Sequence, residues 1–125
     1  MTAVPPEAPV ETDKRAIEAT VRDYFEGWYD GDTARMDRAL HPDLVKRRAG
    51  EALGVTTKER MVELTAAGEG AADRGDGRIE IVIADVYGDI ACAVVHTGTY
   101  HEYVQLVRTS AGWRIANALW QLSAE

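Results

Sequence analysis

From residue 12 onward the apolar positions recur with a helical period. Ile17, Val21, Tyr24, Phe25 and Trp28 fall on one stripe of a 3.6-residue repeat, while Glu18, Arg22 and Glu26 sit four apart on the opposite side. Thr12 or Asp13 can accept a hydrogen bond from a free N–H of the first turn and so start this helix. Gly31 ends it. Asp32 is placed to cap a shorter helix over Thr33 to Leu40, with Met36 and Leu40 on its apolar side, and Pro42 stops that helix by pushing His41 out of the α region. Residues 43–48, Asp-Leu-Val-Lys-Arg-Arg, read as a turn and short strand. Thr56-Thr57-Lys58-Glu59 has the spacing of a capping box and predicts a third helix with Met61 and Leu64 inward. The glycine-rich stretch 68–77 carries no large apolar residue and reads as a loop.

At Arg78 the period changes to two. Ile79 to Val86 is a β-branched run, and Gly88-Asp89 supplies a tight connection to a second strand over Ile90 to Thr97. A third strand is expected over Tyr100 to Arg108 and a fourth over Trp113 to Leu122. Helices first and hairpin-connected strands afterwards predict an α+β fold, its helices packed on one face of an antiparallel sheet.

Composition narrows the function classes. The chain has 125 residues, with 14 Lys+Arg against 21 Asp+Glu and a formal net charge of −7. That length suits one domain over residues 12–125, behind a flexible, Pro-rich N-terminal tail over residues 1–11. The acidic balance lacks the clustered cations that nucleic-acid binding needs, so no nucleic-acid partner is expected. Cys92 is the only cysteine, which excludes an intrachain disulfide and a thiolate metal cluster. No apolar run approaches the roughly 18–20 residues of a membrane span, and the first residues lack a signal peptide's basic and apolar parts. A cytoplasmic location without a membrane partner is expected.

Three strings carry a family resemblance: Ala16 through Tyr24-Phe25-Glu26-Gly27-Trp28-Tyr29-Asp30-Gly31-Asp32, Leu40-His41-Pro42-Asp43-Leu44-Val45-Lys46-Arg47, and the hairpin Glu102-Tyr103-Val104-Gln105-Leu106-Val107 into Gly112-Trp113-Arg114-Ile115-Ala116-Asn117. From Asp13 to Leu122 the chain resembles the nuclear-transport-factor-2-like superfamily, and within it the lumazine-binding-like group. The resemblance implies a cone in which three N-terminal helices lie across a strongly curved antiparallel sheet. It also implies an apolar pocket at the open end and a homodimer. It does not select a chemistry, because isomerases, dehydratases, cyclases and catalytically silent binding domains share this fold.

The candidate catalytic pair is His41 and Asp43. A carboxylate that holds one ring nitrogen leaves the other as a general base, whereas the competing reading has Asp43 capping a turn and His41 packed at a helix end. Tyr24 and Trp28 are ligand-binding candidates for a flat hydrophobic or aromatic molecule. A bulge near Gly98 would decide which of Tyr100, His101, Glu102 and Tyr103 face inward; His101 and Tyr103 are the ligand-facing candidates there. Asn117 shares period-two parity with Trp113, Ile115 and Leu119, so an inner-facing strand places its amide among apolar neighbours. His41, His96 and His101 lack the spacing of a metal motif, and no metal or cofactor is expected. Lys46-Arg47-Arg48 reads as a solvated basic edge, Asp85 as lying beyond the core at a strand end, and Cys92 as a core residue. The expected function is binding of a hydrophobic or aromatic small molecule, with a homodimer through the sheet face. The alternative is an isomerase, dehydratase or cyclase that uses a pocket His/Asp base.

Overall fold

A computed structural model describes residues 11–124. The expected tail over residues 1–11 therefore lies, except for Glu11, outside the described residues. Helix α1 runs Glu11–Asp30 and α2 Thr33–Ala39; strand β1 (Leu40–Arg48) and β2 (Gly54–Thr57) precede α3 (Lys58–Ala66). A single 3₁₀ turn over Ala71–Asp73 interrupts the glycine-rich loop, and the chain ends in β3 (Ile79–Tyr87), β4 (Ile90–Thr97), β5 (Tyr100–Thr109) and β6 (Gly112–Leu122).

The helices begin and end where side-chain chemistry directs. Asp32 caps α2 by accepting from the Arg35 N–H at 3.1 Å, and Thr57 caps α3 by accepting from the Arg60 N–H at 3.2 Å. The capping residue of α3 is thus Thr57, one position after the Thr56 that a Thr56/Glu59 box requires. Gly31 ends α1 at φ +65°, a conformation other residues adopt only with strain. Pro42 does not separate a helix from a later strand. Helix α2 ends at Ala39, and β1 already starts at Leu40 and carries His41 and Pro42 within it.

The sheet order is β2-β1-β6-β5-β4-β3. All neighbours pair antiparallel except β1 and β6, which run parallel with Lys46 beside Ala118 and Arg48 beside Trp120. That pair arises because α3 and three hairpin strands intervene before the chain returns to the edge of β1. Three register irregularities bend the sheet, between Leu40 and Val45, between Ile83 and Asp85, and between Gln105 and Leu106. The inner face carries Ala91, Ala93, Val95, Val104, Leu106, Trp113, Ile115 and Ala118, all buried, and α1 lays Ile17, Val21 and Phe25 across it. Each fully buried Val, Leu, Ile or Phe among them is worth about 1.5–3 kcal/mol relative to exposure. The Thr20 hydroxyl, buried in this interface, donates to the carbonyl of Trp113 at 3.0 Å and ties α1 to β6. Met36 and Met61 bring α2 and α3 onto the same core.

Candidate functional site

The interior divides along the helix. Near the start of α1 it is apolar, around Ile17, Val21, Leu106 and Ile115. Toward the other end, the second half of α1, the end of β1, the start of β5 and the end of β6 bring polar groups inward. Tyr24 comes from α1, Lys46 from β1 and Glu102 from β5. The Lys46 ammonium donates to the Tyr24 hydroxyl and lies 3.9 Å from Glu102 Oε1. Glu102 is 1% exposed, and the Lys46 side chain 12%. Glu102 Oε2 is buried and has no hydrogen-bond partner among the described residues, as is Tyr29 Oη.

Aromatic rings surround this cluster. The Lys46 ammonium stands 5.0 Å from the Tyr24 ring centroid and 5.3 Å from that of Trp120, and the Arg48 guanidinium lies 5.1 Å from the Trp120 ring. Tyr100 meets Trp120 edge-on at 5.2 Å. Asp73, on the 3₁₀ turn, accepts from Trp28 Nε1 at 3.0 Å and from the Tyr100 hydroxyl. Gly70 is required just before that turn, since a Cβ there would fall 2.1 Å from the Trp28 carbonyl oxygen.

Burial governs the electrostatics. It pushes the Glu102 carboxyl above the usual carboxylate range, against the opposing pull of the Lys46 charge and the Tyr24 hydroxyl. It draws the Lys46 ammonium below its usual value, against the charges of Glu102 and Asp73. The Tyr24 phenol is raised well above its ordinary value, first by burial and then by the Glu102 charge. Tyr100 is raised by burial and by its hydrogen bond to Asp73. The cluster thus offers one hydroxyl that holds its proton, Tyr24, one cation and one carboxylate oxygen with an open lone pair. It can bind a partner that presents both an acceptor and a donor, or move a proton to or from Glu102.

The residues expected from sequence do not converge on one place. Tyr24 and Trp28 belong to this cluster. His41 and Asp43 lie in the first half of β1, where His41 Nδ1 accepts from the Asp43 N–H at 3.0 Å and the Asp43 side chain is 92% exposed. His41, but not Asp43, borders a surface recess with Lys58 and Arg114. His101, Tyr103 and Asn117 are on the outer face of the sheet. The facing expected for Asn117 is corrected by a bulge. Leu106 pairs with Ile115 and Gln105 with Asn117, so Ala116 is the extra residue and parity inverts beyond it. Asn117 therefore points outward and donates to Gln105 at 3.2 Å, while Ala118 and Trp120 take the inner side. The ring of His101 packs edge-on against Tyr103 at 5.2 Å. Cys92, expected in the core, lines the outer surface instead, and Asp85, expected beyond the core, lies on the same surface.

Lys46 and Glu102 do not stand out in the sequence. Lys46 opens the basic run read as a solvated edge, yet it shares parity with buried Leu44. Glu102 shares parity with Val104 and Leu106. An ionisable residue in step with an inward apolar series was the available signal.

The outer face is apolar and concave in two places. One trough of about 310 Å³ is bordered by Tyr87, Ile90 and Val107, and another of about 580 Å³ by Leu53, Val94, Tyr103 and Leu119. Val82, Tyr87, Ile90, Tyr103 and Leu119 are exposed there. Among the described residues no helix is long and apolar enough to cross a membrane.

The family model described as "Putative lumazine-binding" matches residues 12–121. No functionally curated protein matches the chain. Solved structures with the same fold include an NTF2-like protein of unknown function from Methylobacillus flagellatus, at 18% identity and TM-score 0.75, covering 97% of this chain and 100% of that one. A second NTF2-like protein of unknown function, from Silicibacter pomeroyi, is 18% identical with TM-score 0.70 over 93% of this chain and 100% of that one. A third, described as a "putative dehydratase" of the NTF2-like family from Streptomyces avermitilis, is 14% identical with TM-score 0.60 over 92% and 99%. Others of this set are described as having a cystatin-like fold. These likenesses establish the NTF2-like, cystatin-like fold.

Proposed function

We infer that this chain, which belongs to the family described as "Putative lumazine-binding", is a small-molecule-binding domain whose ligand seats at the polar end of the cone on Tyr24, Lys46 and Glu102. The observation that carries this reading is Glu102 Oε2, a buried carboxylate oxygen with no partner among the described residues. Leaving such an acceptor unfilled costs about 1–3 kcal/mol or more, and a ligand N–H or O–H removes that cost. Lys46 and Tyr24 offer donors to a ligand oxygen, and Trp120, Tyr100 and Trp28 supply aromatic surface for a flat ring. Native mass spectrometry of protein purified from its own host tests this. A retained aromatic molecule that is lost in Glu102→Gln and Lys46→Met supports the reading; a ligand retained equally by both variants removes the cluster from the site.

The same carboxyl favours a second, enzymatic reading of the isomerase, dehydratase or cyclase type. A Glu102 held above the usual carboxylate range would act as the general base, with Tyr24 and Lys46 stabilising the oxygen that gains charge. In this reading Glu102 takes the part that sequence assigns to His41 and Asp43, which lie away from the cluster.

We also propose that two copies associate through the outer sheet face, and that the chain works in the cytoplasm. Exposed Leu53, Tyr103 and Leu119 on one concave surface support association. The acidic charge and single cysteine fit the location. Sedimentation of Leu119→Glu against wild type tests the dimer: a halved mass in the variant supports it, and a wild-type monomer from micromolar to millimolar concentration refutes it.

A further inference from the structure

On the outer face, at the end of the sheet where β4 turns into β5, four polar side chains stand in one row across four strands. Glu80 is registered opposite His96, His96 opposite His101, and His101 opposite Gln121. The two histidines at the centre turn their rings toward each other. Their Nδ1 atoms are 3.3 Å apart, with ring centroids at 5.5 Å and planes inclined at 60°.

We propose that His96 and His101 form a bidentate site for a borderline divalent transition metal, zinc or nickel, separate from the interior cluster. Geometry carries the proposal. Two imidazole nitrogens each about 2.0–2.1 Å from one tetrahedral zinc are about 3.3 Å apart, which is the separation already present between the two Nδ1 atoms. Without metal the two nitrogens face each other as a hydrogen-bonded pair; a metal would lie off the line joining them, and both rings tilt toward it on binding. The strands hold the spacing, because a directly opposed cross-strand pair places its side chains within reach on one face. The edge contact between His101 and Tyr103, at 5.2 Å, restrains one ring.

Imidazole is the ligand that zinc, copper and nickel favour, whereas magnesium and calcium take oxygen donors. No third His, Cys, Asp or Glu of the described residues stands close enough to complete a set of three. Water therefore fills the remaining positions. Glu80, next in the row, has its carboxylate engaged by Arg78 and is not a ligand in this arrangement. In sequence the pair is separated by four residues that include Gly98; the β4–β5 turn brings them into direct opposition.

Isothermal titration of tag-free protein with zinc chloride and with nickel chloride, in a non-chelating buffer, tests the site. Saturable binding of both metals is expected, with at most one metal per chain and none of the magnesium chloride control. His96→Gln and His101→Gln should each weaken binding at least about tenfold, since even loss of a supporting group around a metal costs about 10–100-fold. His41→Ala should bind as wild type. Both glutamine variants keep a polar surface residue, and an unchanged thermal melt confirms their folding. Paramagnetic broadening by nickel should fall first on the imidazole protons of residues 96 and 101. Absence of saturable binding overturns the proposal, as does wild-type affinity in both glutamine variants or broadening centred on His41.

Discussion

Lys46→Met removes the ammonium beside Glu102 while keeping a flexible apolar stem of similar length. Glu102 is 1% exposed and its Oε1 lies 3.9 Å from the Lys46 nitrogen, so the variant leaves a buried carboxyl facing Tyr24 without its cation. Breaking a buried pair by removing one member costs about 3–5 kcal/mol. A second route bounds the charge part of this loss. The folded protein can keep the carboxyl neutral, and at pH 7 that costs about 1.36 kcal/mol for each of the roughly 2.7 units above an ordinary glutamate value, or about 3.7 kcal/mol. The second figure is a ceiling, because burial already holds the carboxyl above its ordinary value in the wild type.

The second route also gives a pH dependence with a definite sign. Burial raises the folded carboxyl above its unfolded value, so in the window between the two the folded state binds the extra proton and stability falls as pH rises. At pH 5 the same neutralisation costs only about 1 kcal/mol. Urea unfolding followed by tryptophan fluorescence should therefore show Lys46→Met destabilised by about 3–4 kcal/mol at pH 7 and by roughly 2–3 kcal/mol less than that at pH 5. The double variant Lys46→Met with Glu102→Leu should recover most of the loss, because an apolar pair of similar volume replaces a desolvated ion pair at little cost. A loss below about 1 kcal/mol at pH 7, or one that does not change with pH, refutes the assignment of Glu102 as a buried charge dependent on Lys46.

Two further outcomes follow from particular contacts. Gly70→Ala places a methyl 2.1 Å from the Trp28 carbonyl oxygen and must displace the turn that carries Asp73; a loss of about 1–3 kcal/mol and a shifted tryptophan emission are expected, and an unchanged melting temperature contradicts the close packing. Asp23 is partly desolvated, which raises its carboxyl, but hydrogen bonds and charge from Arg38 and Arg35 outweigh this and hold it below its ordinary value. Its stabilisation is present above the unfolded carboxylate value and lost as pH falls through the lower folded one. Asp23→Asn should thus be less stable than wild type at pH 7 and lose less stability between pH 5 and pH 3, as read by urea unfolding at each pH.

The elements were legible because their signals are local. The stripe Ile17, Val21, Phe25, the caps at Asp32 and Thr57 or its neighbour, and the change of period at residue 78 each act within a turn or two of chain. The parallel β1–β6 pair and the early start of β1 were not legible. Both depend on where β6 returns after three hairpins, and on Leu40 being drawn beside Ile115. A proline that forbids a helix does not forbid a strand whose donor it need not supply.

The site was less legible than the fold because side-chain facing depends on single extra residues. One bulge at Ala116 turned Asn117 outward and brought Ala118 and Trp120 inward. That inversion also explains how Lys46 and Glu102 meet. They lie on β1 and β5, which do not touch each other, with β6 between; the two flanking strands are thus about 9–10 Å apart. Lys46 is registered with Ala118 and Glu102 with Trp120. Because the residue under the lysine stem is alanine, the four-carbon chain can cross β6 and reach the carboxylate. Without the bulge, Asn117 and Leu119 would occupy the inner side of β6, and a bulkier floor would stand between the two charges. Both parities are visible in the sequence, Lys46 with Leu44 and Glu102 with Val104 and Leu106. Their meeting is not, since it depends on a third strand whose parity inverts midway.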